Sequence, residues 1–160
     1  MYLIFLTKVS HPSKIYEHLF LSDYRCASNR FMIQKYNIKK ILTVANDLPS
    51  LHEDIVQYKT IKIKDDSDQN LKQYFLETCK FIQESILNND PILVHVYFLI
   101  KKKCMAGISR SASVVIAYLM FSKKMKYNEA FLFLKSKRDI ICPNQGFQNQ
   151  LLDFEKTLNL

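Results

Sequence analysis

Ile92-Leu93-Val94-His95 and, nine positions after His95, Cys104-Met105-Ala106-Gly107-Ile108-Ser109-Arg110-Ser111 carry the reading of this chain. The first stretch is a short, continuously apolar strand of the kind buried on both faces. The second opens directly into residues 111–122, where almost every side chain is apolar or small, so a helix there is buried nearly all round. Strand, loop and buried helix in that order belong to an α/β fold. Functional groups in such folds gather at the carboxyl ends of the central strands.

Outward from this centre the chain alternates. Short β-rich runs at 18–21, 40–45 and 57–63 precede it, with a helical stretch at 28–36 between the first two. Asn70-Leu71-Lys72-Gln73 reads as a capping box. Behind it Leu71, Tyr74, Phe75, Thr78, Cys79, Ile82 and Ile86 recur at helical spacing until Asn88-Asn89-Asp90-Pro91 stops the helix. Downstream, amphipathic helices are expected at 128–138 and 145–158, the latter with Phe147, Leu151, Phe154 and Leu158 inward. Cys142-Pro143-Asn144 makes the turn between them. The expectation is an α/β protein of one domain, residues 1–160, with a central, mostly parallel sheet flanked by helices. Residues 1–7 are read as an edge strand, being apolar for only six residues without a basic leader.

Composition narrows the class. Of 160 residues, 48% are hydrophobic and 24% charged, a globular balance that excludes wholesale disorder. The net charge of +8 invites a polyanion, but no aromatic-basic stacking motif accompanies it, so no nucleic-acid partner is expected. The lysines at 123–126 and the basic run 135–138 are read as solvated helix ends. The longest apolar run, 92–100, contains His95 and cannot span a bilayer, so no membrane partner is expected. Four cysteines without a CxxC pair give neither a disulfide framework nor a zinc site. Cys79 is read as core, Cys26 and Cys142 as inert, and no metal or cofactor is expected. The chain is read as a reduced, cytoplasmic or nuclear monomer.

The stretch from Cys104 to Ser111 concentrates chemistry. One of only two glycines in the chain, Gly107, stands mid-loop, where backbone wrapping an anion calls for conformational freedom. A helix N-terminus offers free N–H groups and a positive dipole end, together an anion site. The same field lowers a thiol pKa from about 8.5 toward roughly 3.5–7.5, making Cys104 a thiolate. Arg110 supplies a planar fork matched to phosphate oxygens.

These residues resemble the signature loop of cysteine-dependent protein phosphatases, specifically the dual-specificity class. The likeness extends over residues 14–158. Tyr58-Lys59-Thr60-Ile61-Lys62-Ile63-Lys64-Asp65 is similar to the family's strand ending in its general acid. Ala117-Tyr118-Leu119-Met120 matches the helix after the loop. Tyr127-Asn128-Glu129-Ala130, Lys137-Arg138 and Pro143-Asn144-Gln145-Gly146-Phe147 with Gln150-Leu151 match the C-terminal helices.

The resemblance implies a metal-free phosphatase acting on phosphorylated proteins. It makes Cys104 the nucleophile. Arg110 and the backbone N–H groups of Met105, Ala106, Gly107, Ile108 and Ser109 become the phosphate cradle. Asp65 becomes the general acid, with Asp66 in reserve. Ser111 becomes the partner of the departing thiolate, or the helix N-cap. The absence of Lys and Arg from 105–109 favours a protein over a phosphoinositide substrate.

The chain departs from the family at one place. His immediately precedes the nucleophile there, whereas eight residues, Val96 to Lys103, separate His95 from Cys104 here. A slip that put 100–103 into the central strand would bury three unpaired lysines, so the expectation is that 92–95 stays in the sheet and 96–103 bulges out. Val codons begin with GT and Lys codons can end in AG, so the segment also fits a retained short intron. The insertion gives a second functional reading: a catalytically impaired protein that binds phosphoproteins.

Overall fold

The computed structural model describes residues 10–46, 49–96 and 108–160. Its described strands are β1 (Ser13–Tyr16), β2 (Leu19–Asp23), β3 (Lys40–Val44), β4 (Gln57–Ile61) and β5 (Ile92–Val96). They form one sheet in the order β1-β2-β5-β3-β4. Only the β1–β2 edge is antiparallel; β2–β5, β5–β3 and β3–β4 are parallel. The strand that leads toward the signature loop therefore lies in the middle.

Pleat alternation explains why these strands are apolar on both faces. Ile92 and Val94 of β5, with Leu19, Leu21, Leu42 and Val44 beside them, enter the larger core. That core is closed by α3 (Phe75–Leu87), α4 (Arg110–Lys123), α5 (Tyr127–Lys137) and α6 (Gln145–Thr157). Leu93, Phe20 and Ile41 point the other way, onto a smaller core under α1 (Tyr24–Ala27) and α2 (Arg30–Lys35). Every residue from Arg110 to Met120 is buried, so α4 is the axis of the larger core, as its uniform apolarity foretold.

Several boundaries differ from the sequence reading, each for a local reason. The expected helix over 28–36 is present as α2, trimmed to 30–35 by Asn29, which caps it by accepting from the Met32 N–H, and a further short helix, α1, precedes it, capped by Asp23 accepting from the Cys26 N–H. The run 18–21 begins at Leu19, because His18 has a left-handed φ of 63° in the tight turn that pairs β2 with the unforeseen strand β1. The run 57–63 leaves the ladder at Ile61. At the head of α3, Asn70 Oδ1 accepts from the Gln73 N–H at 3.3 Å, but Gln73 Nε2 donates to the Asn70 carbonyl at 2.8 Å instead of accepting from its N–H. The chain there runs through a 3-10 turn, Lys72–Tyr74, before becoming α-helical. The strand read over 1–7 lies outside the described residues.

The register of β5 decides between the two geometries for the insertion. His95 stands opposite Ser22 on one side and Thr43 on the other, so 92–95 holds the central position and 100–103 does not. Val96 also remains in the ladder, opposite Asp23, so the expected bulge over 96–103 is corrected at its first residue.

Candidate active site

Arg110 is the first residue of α4 and is 8% exposed. Its Nη1 donates to the Ile63 carbonyl at 2.9 Å, just past the end of β4. Its Nε lies 3.8 Å from Asp65 Oδ2. Burial lowers the guanidinium pKa and the Asp65 carboxylate opposes that shift. A guanidinium so placed stays charged, because its ordinary pKa is far above neutrality. A cation and a carboxyl group 45 residues apart in sequence are thus brought to one spot at the carboxyl end of the sheet.

Asp65 rather than Asp66 holds this position. Asp66 Oδ1 accepts from the Asp68 N–H at 3.1 Å, within its own loop. Asp65 Oδ1 accepts from Asn144 Nδ2 at 2.9 Å. Asn144 is also the N-cap of α6, its Oδ1 accepting from the Phe147 N–H at 2.9 Å, and its backbone N–H donates to Ser109 Oγ at 3.0 Å. One turn earlier, the Cys142 N–H donates to the Ile108 carbonyl at 2.9 Å. The C-terminal half of the signature loop is therefore held from outside, by the turn over 142–144.

The remaining candidates divide as follows. Ile108, Ser109, Arg110 and Ser111 stand together at the start of α4, with Ser111 fully buried. Cys104, Met105, Ala106 and Gly107 lie outside the described residues. The reading of Ser111 as N-cap is corrected: α4 starts one residue earlier than expected, so Ser109 takes the cap position. The Ser109 hydroxyl accepts from Asn144, while its carbonyl takes the Ser113 N–H at 2.9 Å and the Ser113 hydroxyl at 2.8 Å.

His95 faces away from Arg110, on the pleat of Leu93, with Nε2 at 2.9 Å from Thr43 Oγ1. Burial pushes its pKa down to about 4, so the imidazole is neutral at pH 7. Cys79 and Cys26 are buried, and burial raises both thiol pKa values, as suits inert core cysteines. Cys142 is exposed. Among the described residues no three His, Cys, Asp or Glu side chains group as a metal site, and no helix is long and apolar enough to cross a membrane.

Sequence reasoning did not assign Asn144, Gly146 and Gln150 to the site. The available signal was weak. Asn144 stands one residue before an amphipathic helix, which predicts a cap but not a second partner far away in the chain.

Comparison with known proteins agrees with this geometry. Residues 19–157 match the dual specificity phosphatase catalytic domain. The chain is 39% identical over 149 residues to dual specificity protein phosphatase 1 of Arabidopsis thaliana, covering 93% of this chain and 71% of that protein. It is 40% identical over 153 residues to human dual specificity protein phosphatase 6, covering 94% of this chain but only 38% of that longer protein. Among solved structures it is similar to the human tyrosine phosphatase-like serine/threonine/tyrosine-interacting protein, with a TM-score of 0.85, 31% identity and coverage of 94% and 99% of the two chains. Human DUSP28 superposes with a TM-score of 0.83 at 26% identity, covering 93% and 95% of the two chains. With the family's catalytic domain matched from residue 19 to residue 157, and Arg110 and Asp65 meeting at the carboxyl end of the sheet, the chain belongs to the dual specificity phosphatase family.

Proposed function

We propose that this phosphatase-family domain hydrolyses phosphotyrosine and phosphoserine or phosphothreonine in proteins through a phosphocysteine intermediate. The Cys104 thiolate attacks phosphorus in line, forming the S–P bond as the P–O bond to the substrate breaks. Arg110 and the backbone N–H groups of 105–110 hold the equatorial oxygens, where negative charge concentrates. Asp65 gives its proton to the leaving oxygen, then takes one from the water that attacks the intermediate. The S–P bond breaks, inorganic phosphate leaves, and Ser111 donates a hydrogen bond to the departing thiolate.

The observation that carries this reading is the pairing of the buried Arg110 with Asp65 Oδ2 at 3.8 Å. That separation sets the carboxyl group of the proposed general acid beside an anion-binding cation. Cys104→Ser tests it: turnover of an aryl phosphate should disappear while binding of an inert phosphate analogue such as tungstate persists. Residual hydrolysis within about tenfold of the parent overturns Cys104 as nucleophile.

A second reading is favoured by one observation. Seven residues stand between the last residue of β5, Val96, and Cys104. A chain that retains Arg110 but delivers Cys104 from a detached strand binds phosphoproteins without turning them over. One structural relative is itself described as an interacting protein that is tyrosine phosphatase-like. Tungstate binding with no turnover in the unsubstituted chain is the outcome that selects this alternative.

A further inference from the structure

We infer that the N-terminal half of α6 is a fixed platform for the loop of the general acid, with Asn144, Gly146 and Gln150 as its positioning residues. The inference rests on Asp65 being that acid. Three contacts from the cap and first turns of α6 meet the chain between 65 and 72. Asn144 Nδ2 donates to Asp65 Oδ1 at 2.9 Å. Gly146 lies so close to Ser67 that an added Cβ would stand 2.0 Å from the Ser67 carbonyl oxygen, backbone against backbone. Gln150 accepts from the Lys72 N–H at 2.8 Å and donates through Nε2 to the Gln69 carbonyl at 2.8 Å. Positions 144, 146 and 150 thus grip the loop at its start, middle and end.

The Asn144 contact also sorts the two oxygens of Asp65. The Phe147 N–H can only donate, so it fixes Asn144 Oδ1 toward α6 and leaves Nδ2 for Asp65. Oδ1 of Asp65 is thereby occupied as an acceptor, which leaves Oδ2 as the oxygen free of Asn144 for the proposed proton transfer. That oxygen is the one turned to Arg110, where the phosphate binds. Asn144 therefore orients the carboxyl group as well as the loop. Because its backbone N–H also holds Ser109, acid and cradle take their mutual geometry from one residue.

Asn144→Asp tests this without undoing the helix, since Asp caps as well as Asn. It replaces the donor by a carboxylate facing Asp65. The expected result is a loss of about tenfold or more in kcat on a phosphoserine peptide, whose leaving group needs the proton. On p-nitrophenyl phosphate, whose leaving group does not, the loss should be below about threefold. In an Asp65→Asn background the same substitution should change neither. Equal losses on the two substrates, or none, overturn the positioning role.

A hydrogen-exchange arm separates the platform from the acid assignment. Gln150→Ala should speed amide exchange at Lys72 and across 66–70 by about tenfold. If Asp65→Asn leaves both substrates unaffected while exchange rises, the acid assignment falls and the platform stands. Unchanged exchange overturns the platform.

Discussion

The two ends of the signature loop stand differently in the chain. The exit, Ile108 to Ser111, is held by distant parts of the chain: Ile63 and Asp65 after β4, and Cys142 and Asn144 before α6. The entry, Cys104 to Gly107, lies outside the described residues, and in sequence seven residues stand between it and Val96, the last residue of β5. An anion site made of long-range contacts tolerates a change in its connection. A nucleophile placed by the connection itself does not, since a shift of about 1 Å costs on the order of 10²-fold in rate. In sequence the insertion lies on the side of the proposed nucleophile, Cys104.

The largest expected effect is on the exit side. Arg110→Lys should lower kcat/KM by about 10²–10³-fold, because an ammonium cannot replace a bidentate fork already tied to Ile63 and facing Asp65. Parent-like kinetics in that variant would refute the clamp and equalise the two ends.

Next comes the strand on the entry side. His95 is held neutral by burial, its folded pKa of about 4 lying below an ordinary value near 6.5. The unfolded chain therefore takes up this proton first as pH falls. The stabilisation is whole above pH 6.5 and is lost as pH falls toward the folded value. His95→Gln should show a drop in unfolding free energy between pH 7 and pH 5 that is about 2 kcal/mol smaller than the parent's, measured by urea denaturation. Identical drops would mean that β5 is not a neutral-histidine strand at its end.

The smallest effect sharpens the comparison most. Deleting Val96 to Lys103 restores His95 directly before Cys104 and should raise kcat/KM by at least about tenfold, with a lower thiol pKa for Cys104. Equal activity and equal thiol pKa in the two chains would make the entry as tolerant as the exit. Transcript sequencing across the same codons settles whether the segment is translated.

What the sequence revealed follows the range of the physics involved. The strand at 92, the helix over 110–123 and the local order of loop residues were legible because periodicity and apolarity act within a few positions. The nearness of Asp65 to Arg110 was legible only through the resemblance of 58–65 to the family's strand, since the ladder itself ends at Ile61. The strand β1 escaped because four residues with polar content carry no distinct period, and its pairing depends on His18 entering the left-handed region. The helix α1 escaped because four residues make a single turn, too short for a helical period to show. Asn144, Gly146 and Gln150 escaped because their partners are 79, 79 and 78 residues away, a distance over which no pattern in one chain speaks.

The contact of Gly146 with Ser67 has a consequence for the order in which this protein comes into being. Helix α4, buried from Arg110 to Met120, shares its core with Phe147, Leu151 and Phe154 of α6. The last helix of the chain is also the surface on which the Asp65 loop rests. Contacts of such long sequence separation form late on a folding pathway, after their loop closures are made. The proposed activity is therefore expected only once folding is finished, and its recovery should lag recovery of helical signal in a refolding experiment.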